Sequence, residues 1–368
     1  MNRSLVCFTL ALLSSTSAEE GGGSLSPDSR SANFKKALSE ISLRTPGRSF
    51  VLDYGNMVKP ARQLAEALGP ESVAFLDGQL QKNGEEGLLA AFTLAAMPDE
   101  KTAVDSLSRA ASAPERLVWK NAVAAIAYMP PEQIRSISES KLAKGKKGQQ
   151  RISFIELLGI VGSSDSLTLL KQLQQHDSNQ RIQIACKHAI DFLQQKQSLK
   201  SDRERTKWEQ QGLLLWRVNN DVCLHHVERE CDKAAAKRFL AGGEHAMLPL
   251  LLLRFNAGDQ VATELIGLQK EVGAISVFKE QVSQPTQLGQ LARRGLSALG
   301  TPEALKVLMS GFVAGQTHVN YDISRQLVTS GNEETSRFLR GLAEDPKYDE
   351  ESQRVFRKAA NDIDHRVK

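Results

Sequence analysis

The sequence predicts an all-α protein: a right-handed α-solenoid of stacked antiparallel helix pairs, irregular in the middle. Three observations carry this. A helix-end tag returns along the chain as Leu68-Gly69-Pro70-Glu71, Met97-Pro98-Asp99-Glu100, Met129-Pro130-Pro131-Glu132, Val161-Gly162-Ser163-Ser164-Asp165, Leu299-Gly300-Thr301-Pro302-Glu303 and Ser330-Gly331-Asn332-Glu333. Its spacing is nearly fixed: Pro98 to Pro130 is 32 residues, Pro130 to Gly162 is 32, and Gly300 to Gly331 is 31. A period of that size marks helix pairs that cannot bury an apolar face alone and stack on the next pair. Aromatic residues make up only 5% of the chain while Ala, Leu and Gln are common, which suits close-packed helices and disfavours an all-β reading. The ordered length divided by the period gives roughly eight to ten helix pairs.

The elements follow in order. Residues 1–18 have the form of a secretory signal: Arg3 supplies positive charge, Leu5 to Leu13 is apolar, and Thr16-Ser17-Ala18 is a small-residue exit before Glu19. The alternative is a frayed, uncleaved N-terminal segment. Cys7 lies inside the apolar stretch rather than at its exit, which argues against a lipoprotein anchor. The signal predicts a soluble, exported chain, periplasmic or extracellular. Residues 19–45, which open with Glu19-Glu20-Gly21-Gly22-Gly23-Ser24 and continue through Ser26-Pro27-Asp28-Ser29, read as a flexible leader. No later stretch approaches the roughly 20 apolar residues of a membrane span. The run Met247 to Leu253 is short, contains Pro249 and stops at Arg254.

The first set of repeats is expected over 46–195, and its clearest unit runs from Ile152 to Leu193. Ile152, Ile155, Leu158 and Gly159 share one helical face. Gly162 is expected to end that helix in the left-handed conformation. Ser163 and Ser164 offer capping oxygens, and Asp165 sits in the next first turn, where the helix dipole favours a carboxylate. Leu167, Leu170 and Leu173 continue the stripe, and Asp177-Ser178-Asn179-Gln180 turns the chain. Ile182, Ala185, Ala189 and Leu193 then form a face whose small residues admit a close neighbour, and Cys186 reads as a small core residue beside them.

An irregular helical segment is expected over 196–245. Lys196 to Lys207 mixes both charge signs and reads as an exposed connection or helix start, and Trp208, Leu213, Leu215 and Trp216 read as core where the repeat geometry changes. Repeats resume over 246–368, with Leu288, Leu291, Ala292, Gly295, Leu296 and Leu299 on one buried face. There Gly300 closes the helix, Thr301 caps the next, and Pro302 takes the first helical position, where a missing N–H is harmless.

Two of these stretches resemble HEAT repeats, and more closely the short HEAT-like type also found in phycobilisome lyases. They are Asp177-x-x-x-Arg181-Ile182-x-x-Ala185-x-x-x-Ala189 and the run from Leu291 through Gly295 and Gly300 to Ala304. The resemblance covers about two-thirds of the chain, is strongest over 85–195 and 286–345, and lapses between 196 and 285 apart from an echo at Asn256-Ala257-Gly258-Asp259. It implies a fold and a scaffolding or binding role, since members of this type are mostly binding surfaces.

In such a stack Arg181, Lys187, Arg293, Arg294 and Arg325 fall on or near the inner helices. They read either as a basic concave groove for an acidic partner segment, or as solvated charges with an Arg reaching the next repeat's acid, as Arg181 to Asp165 would. Lys141-Leu142-Ala143-Lys144-Gly145-Lys146-Lys147-Gly148 is a basic loop, either a solvated turn or a weak contact for an anionic surface such as a phospholipid headgroup or polysaccharide.

One constellation has chemical potential: Cys223-Leu224-His225-His226-Val227-Glu228-Arg229-Glu230-Cys231. It reads as a Cys223–Cys231 disulfide, as a weak metal set of Cys223, His226 and Cys231 with Glu230, or as inert thiols. On one continuous helix the two cysteines would stand about 12 Å apart, too far for a bond, so a disulfide requires a turn between them.

Formal charge is +4, or +3 once Arg3 leaves, which gives no support for nucleic-acid binding. No nucleophile elbow, phosphate loop or His-Glu-x-x-His is present, and Ala241-Gly242-Gly243-Glu244 follows a helix rather than a strand, so it is a helix break. Glu333-Glu334 and Glu350-Glu351 fall in helix first turns, where the dipole explains them. The sequence therefore predicts a non-catalytic scaffold that binds a protein or peptide along a concave face, with no cofactor. Its rivals are an enzyme or enzyme accessory subunit working through 196–245, and envelope attachment through Lys141–Lys147.

Overall fold

The computed structural model describes residues 25–41, 44–45, 48–52, 54–82, 84–97, 99–143, 149–220, 222–223, 228–241 and 245–367. Residues 1–18, expected as a secretory signal, lie outside them, as do residues 144–148 of the expected basic loop and Gly242, Gly243 and Glu244.

Among the described residues the regular structure is helical apart from one small sheet. Its helices are α1 (Pro27–Glu40), α2 (Val58–Leu68), α3 (Val73–Leu80), α4 (Glu85–Ala95), α5 (Lys101–Ala110), α6 (Arg116–Ile126), α7 (Pro131–Ala143), α8 (Gln149–Val161), α9 (Ser164–His176) and α10 (Gln180–Ser198). They continue with α11 (Asp202–Asn220), α12 (Glu228–Ala241), α13 (Leu248–Asn256), α14 (Gln260–Leu268), α15 (Ile275–Gln281), α16 (Gln287–Leu299), α17 (Pro302–Met309), α18 (Thr317–Ser330), α19 (Glu333–Glu344) and α20 (Glu350–Val367). The strands β1 (Arg44–Thr45), β2 (Arg48–Leu52) and β3 (Val222–Cys223) form an antiparallel sheet in that order, with Val51 opposite Cys223 and Leu52 opposite Val222. The all-α expectation holds for the rest.

Each helix packs on at least one of its chain neighbours, and one layer also packs on its next-but-one member. α2 meets α4, α4 meets α6, α8 meets α10, α12 meets α14, and α14, α16, α18 and α20 follow in succession. One continuous hydrophobic core runs from Phe34 to Ile363. Trp208 and Trp216 are fully buried in it, as expected, and Phe192 lies 4.9 Å from Trp208 between ring centroids.

Capping chemistry sets the helix starts. Ser163 accepts a hydrogen bond from the Ser166 backbone N–H in a capping box, and Thr301 accepts one from Ala304 ahead of Pro302. Gly300 closes α16 with φ 60°, the left-handed conformation. Gly162 is a correction: it does not take a positive φ. A Cβ there would stand 2.4 Å from the Leu158 carbonyl and 2.9 Å from Ser166 Cβ, so close packing requires the glycine.

Two further expectations are corrected. Residues 27–40 of the supposed leader form α1, because Ser26 caps it, Pro27 starts it and Phe34 packs edge-on to Phe75 at 5.8 Å. Lys196 is no exposed linker residue: α10 runs to Ser198, and the Lys196 ammonium is buried. It donates to the carbonyls of Ile160 and Gly162 at 3.0 and 3.1 Å and to Glu209 at 2.8 Å. The lysine therefore satisfies orphan carbonyls at the end of α8.

Candidate functional site

A cleft of about 430 Å³ opens where α8, α10, α13 and the α13–α14 turn converge, with α11 and α12 closing its far side. α8 supplies Glu156, a charge set between the buried Ile155 and Leu157. α10 supplies Arg181, Ile184 and His188 from one face, spaced by three and four residues. Close approach of the two helices is set by Gly159, where a Cβ would meet Ala189 Cα at 2.8 Å. α13 supplies Arg254, and Asp259 caps α14 by accepting the Ala262 backbone N–H at 3.0 Å.

The charges of the cleft are mostly spent on one another. Arg254 Nε donates to Asp259 Oδ2 at 2.8 Å, and Asn219 Nδ2 donates to the same oxygen at 2.6 Å. Trp216 Nε1 donates to Glu156 Oε2 at 3.0 Å. Burial pushes the Glu156 carboxyl above its usual range, with Arg254 and the indole N–H opposing. Asp232 of α12 is pushed up to about 6 by burial, against the pull of Arg294. Burial also holds the His188 imidazole below its ordinary value, Asp191 opposing and Lys187 and Arg254 adding repulsion. What remains open is the rim: Ile184 is 49% exposed there, and Arg181 makes no ion pair with any described residue.

The five basic candidates separate. Arg181 lines the cleft, and Lys187 is exposed on the same helix, outside the lining. Arg181 does not pair with Asp165; the ion pair across that turn is Arg151–Asp177, at 2.5 Å. Arg293 is a correction to the docking role: it is 4% exposed and donates to Asp322 at 2.6 Å and to the carbonyls of Val282 and Gln284. Arg294 is likewise turned inward, onto Gln260, Asp232 and Glu264. Arg325 is half-exposed and pairs with Asp322 at 2.9 Å. Asp322 thus bridges α16 and α18, a structural use of both arginines.

The backbone places Cys223 in β3 and Cys231 in α12, so the one-helix geometry that forbids a disulfide does not apply. His225 and His226 lie outside the described residues. Among the described residues no group of three His, Cys, Asp or Glu side chains is arranged to hold a metal ion. Cys186 is a free, buried thiol pushed up to about 11 by burial, the core residue expected. No described helix is long and apolar enough to cross a membrane.

The sequence reading missed Glu156, His188, Asp232, Arg254 and Asp259. A signal was present for two of them: a charge inside or ending an apolar run, as at Glu156 and Arg254, must find a buried partner.

No protein-family model matches the chain, and no curated protein matches it. Among solved structures it is similar to human deoxyhypusine hydroxylase in complex with glycerol, at 17% identity and a TM-score of 0.32, over 73% of this chain and 99% of that one. It is also similar to an engineered protein at 18% identity and a TM-score of 0.23, over 90% of this chain and 99% of that one. TM-scores this low carry no structural or functional weight.

Proposed function

We propose that this chain is a HEAT-like scaffold, its helix pairs stacked as a right-handed solenoid, that binds a protein or peptide segment and performs no chemistry on it. The layered contacts of α14, α16, α18 and α20 support the stack, since in a solenoid each repeat touches only its neighbours. The observation that carries the binding reading is the pairing, on the rim of one open cleft, of Ile184, 49% exposed, with Arg181, which forms no ion pair with a described residue. A partner's apolar residue covers Ile184 and its acidic residue meets Arg181. The Arg254–Asp259 and Arg294–Glu264 pairs hold the walls rigid, which lowers the ordering cost of binding. The same reading exports the chain after residues 1–18 are removed, into surroundings where Cys223 and Cys231 can oxidise.

The test is affinity capture from the source cell with the wild-type chain and an Ile184→Asp, Arg181→Glu variant as baits, read by quantitative mass spectrometry. One protein at near-stoichiometric level, lost with the variant, is the expected result. No protein captured, or the same protein held equally by the variant, would sink the reading.

A catalytic reading has one observation in its favour: Asp232 and His188 share a cleft and both shift toward neutrality. It requires that a turnover, once found, fall sharply in both Asp232→Asn and His188→Gln; activity surviving either change removes it.

A further inference from the structure

A second cleft, of about 570 Å³, lies between α6 and α11. Trp216 links the two: its N–H donates to Glu156, which lines the first cleft, and the residue itself lines the second. Trp119 and Tyr54 add two more rings, and Val123 and Ala124 give an apolar floor. The volume falls in the range of small-molecule sites, roughly 300–1,000 Å³.

Charge gives this cleft its character. Arg116 and Lys120 stand one turn apart on α6, both line it, and neither forms an ion pair with a described residue. Like charges at that spacing repel. The Lys120 ammonium is held below its ordinary value first by burial and then by Arg116, so the lysine is crowded by a like charge as well as partly screened from water. The Ser153 hydroxyl, also on the wall, has no hydrogen-bond partner among the described residues. No carboxylate lines the cleft among the described residues, in contrast to the Glu156, Asp232 and Asp259 side chains of the first. An anion would relieve the Arg116–Lys120 repulsion and accept a hydrogen bond from the Ser153 hydroxyl, and a flat apolar body would lie against the Tyr54 and Trp119 rings, over the edge of the buried Trp216.

We propose that the cleft formed by Arg116, Lys120, Ser153, Tyr54, Trp119 and Trp216 binds a small organic anion: a carboxylate, sulfonate or phosphate carried on an aromatic or heteroaromatic ring. The site is independent of the peptide-binding reading of the first cleft.

The test is isothermal titration calorimetry of the full chain with naphthalene-2-sulfonate, neutral 2-naphthol and inorganic sulfate. The sulfonate binds saturably, at one equivalent, and about tenfold or more tighter than either the ring or the anion alone, a difference of about 1.4 kcal/mol. An Arg116→Glu, Lys120→Glu variant, whose changed residues are exposed, loses that binding with an unchanged melting temperature. Val123→Trp, which fills the cleft and keeps both charges, loses it too. No saturable heat, equal affinity for 2-naphthol or for sulfate, or unchanged binding in the charge-reversed variant would each overturn the proposal. Should a variant misfold, the three-ligand comparison on the wild type decides.

Discussion

At the residue scale the structure separates charges that hold the fold from charges left for a partner, a distinction a single sequence does not display. Arg293 and Arg294 read as surface arginines because Arg-Arg in a helix is a common solvent pattern, yet both turn inward onto acids that are distant in sequence. Removing Arg293 leaves Asp322 and two buried carbonyls short of donors, so Arg293→Met destabilises by about 3 kcal/mol, measured by denaturant unfolding. Arg325, half-exposed on the same acid, costs under about 1 kcal/mol when changed to Ala. Asp232 makes a pH-dependent contribution of the opposite sense to an ordinary ion-paired aspartate. Its folded pKa of about 6 lies above the ordinary aspartate value, so the folded state binds the proton more tightly. Stability therefore falls as pH rises from near 4 to near 6, and the penalty is constant above that. Asp232→Asn flattens this slope and gains about 1 kcal/mol above pH 6, a figure reduced for solvent at the cleft mouth. An unchanged slope between pH 4 and 6 would show that Asp232 is not its source.

At the scale of the element, helix starts and stops were largely legible. Ser163, Thr301-Pro302 and Gly300 do what local chemistry requires, because caps are satisfied within three or four residues. Elements that depend on distant contacts were not. The two-residue strands β1 and β3 are too short to show alternation, and α1 owes its place to Phe34 against Phe75. Helix contact, not turn geometry, explains Gly159 and Gly162, neither of which has a positive φ. Gly159→Val drives a side chain into Ala189, forces α8 from α10 and costs about 2–3 kcal/mol, seen as a lowered melting temperature. Gly341, inside α19 with nothing within 4 Å, is the control: Gly341→Ala stabilises by about 0.5–1 kcal/mol. If both changes destabilise alike, the packing of α8 on α10 is not the reason.

At the scale of the whole molecule, the fixed period reported the helical class because it records a local unit repeated. It could not report the first cleft, which forms where repetition fails: α10 and α11 are each 19 residues long, and α8 packs on both. Residues from Glu156 to Gln260 meet there only because the two long helices bring α12 and α13 around. The scaffold account places its partner at this break. The measurement that tests it most directly is photocrosslinking in the source cell, with a benzophenone amino acid in place of Ile184 and, separately, of Lys171, an exposed residue of α9. The account predicts one protein joined through one peptide at position 184 and no adduct at 171. Equal adducts at both positions, or none at 184, would contradict it.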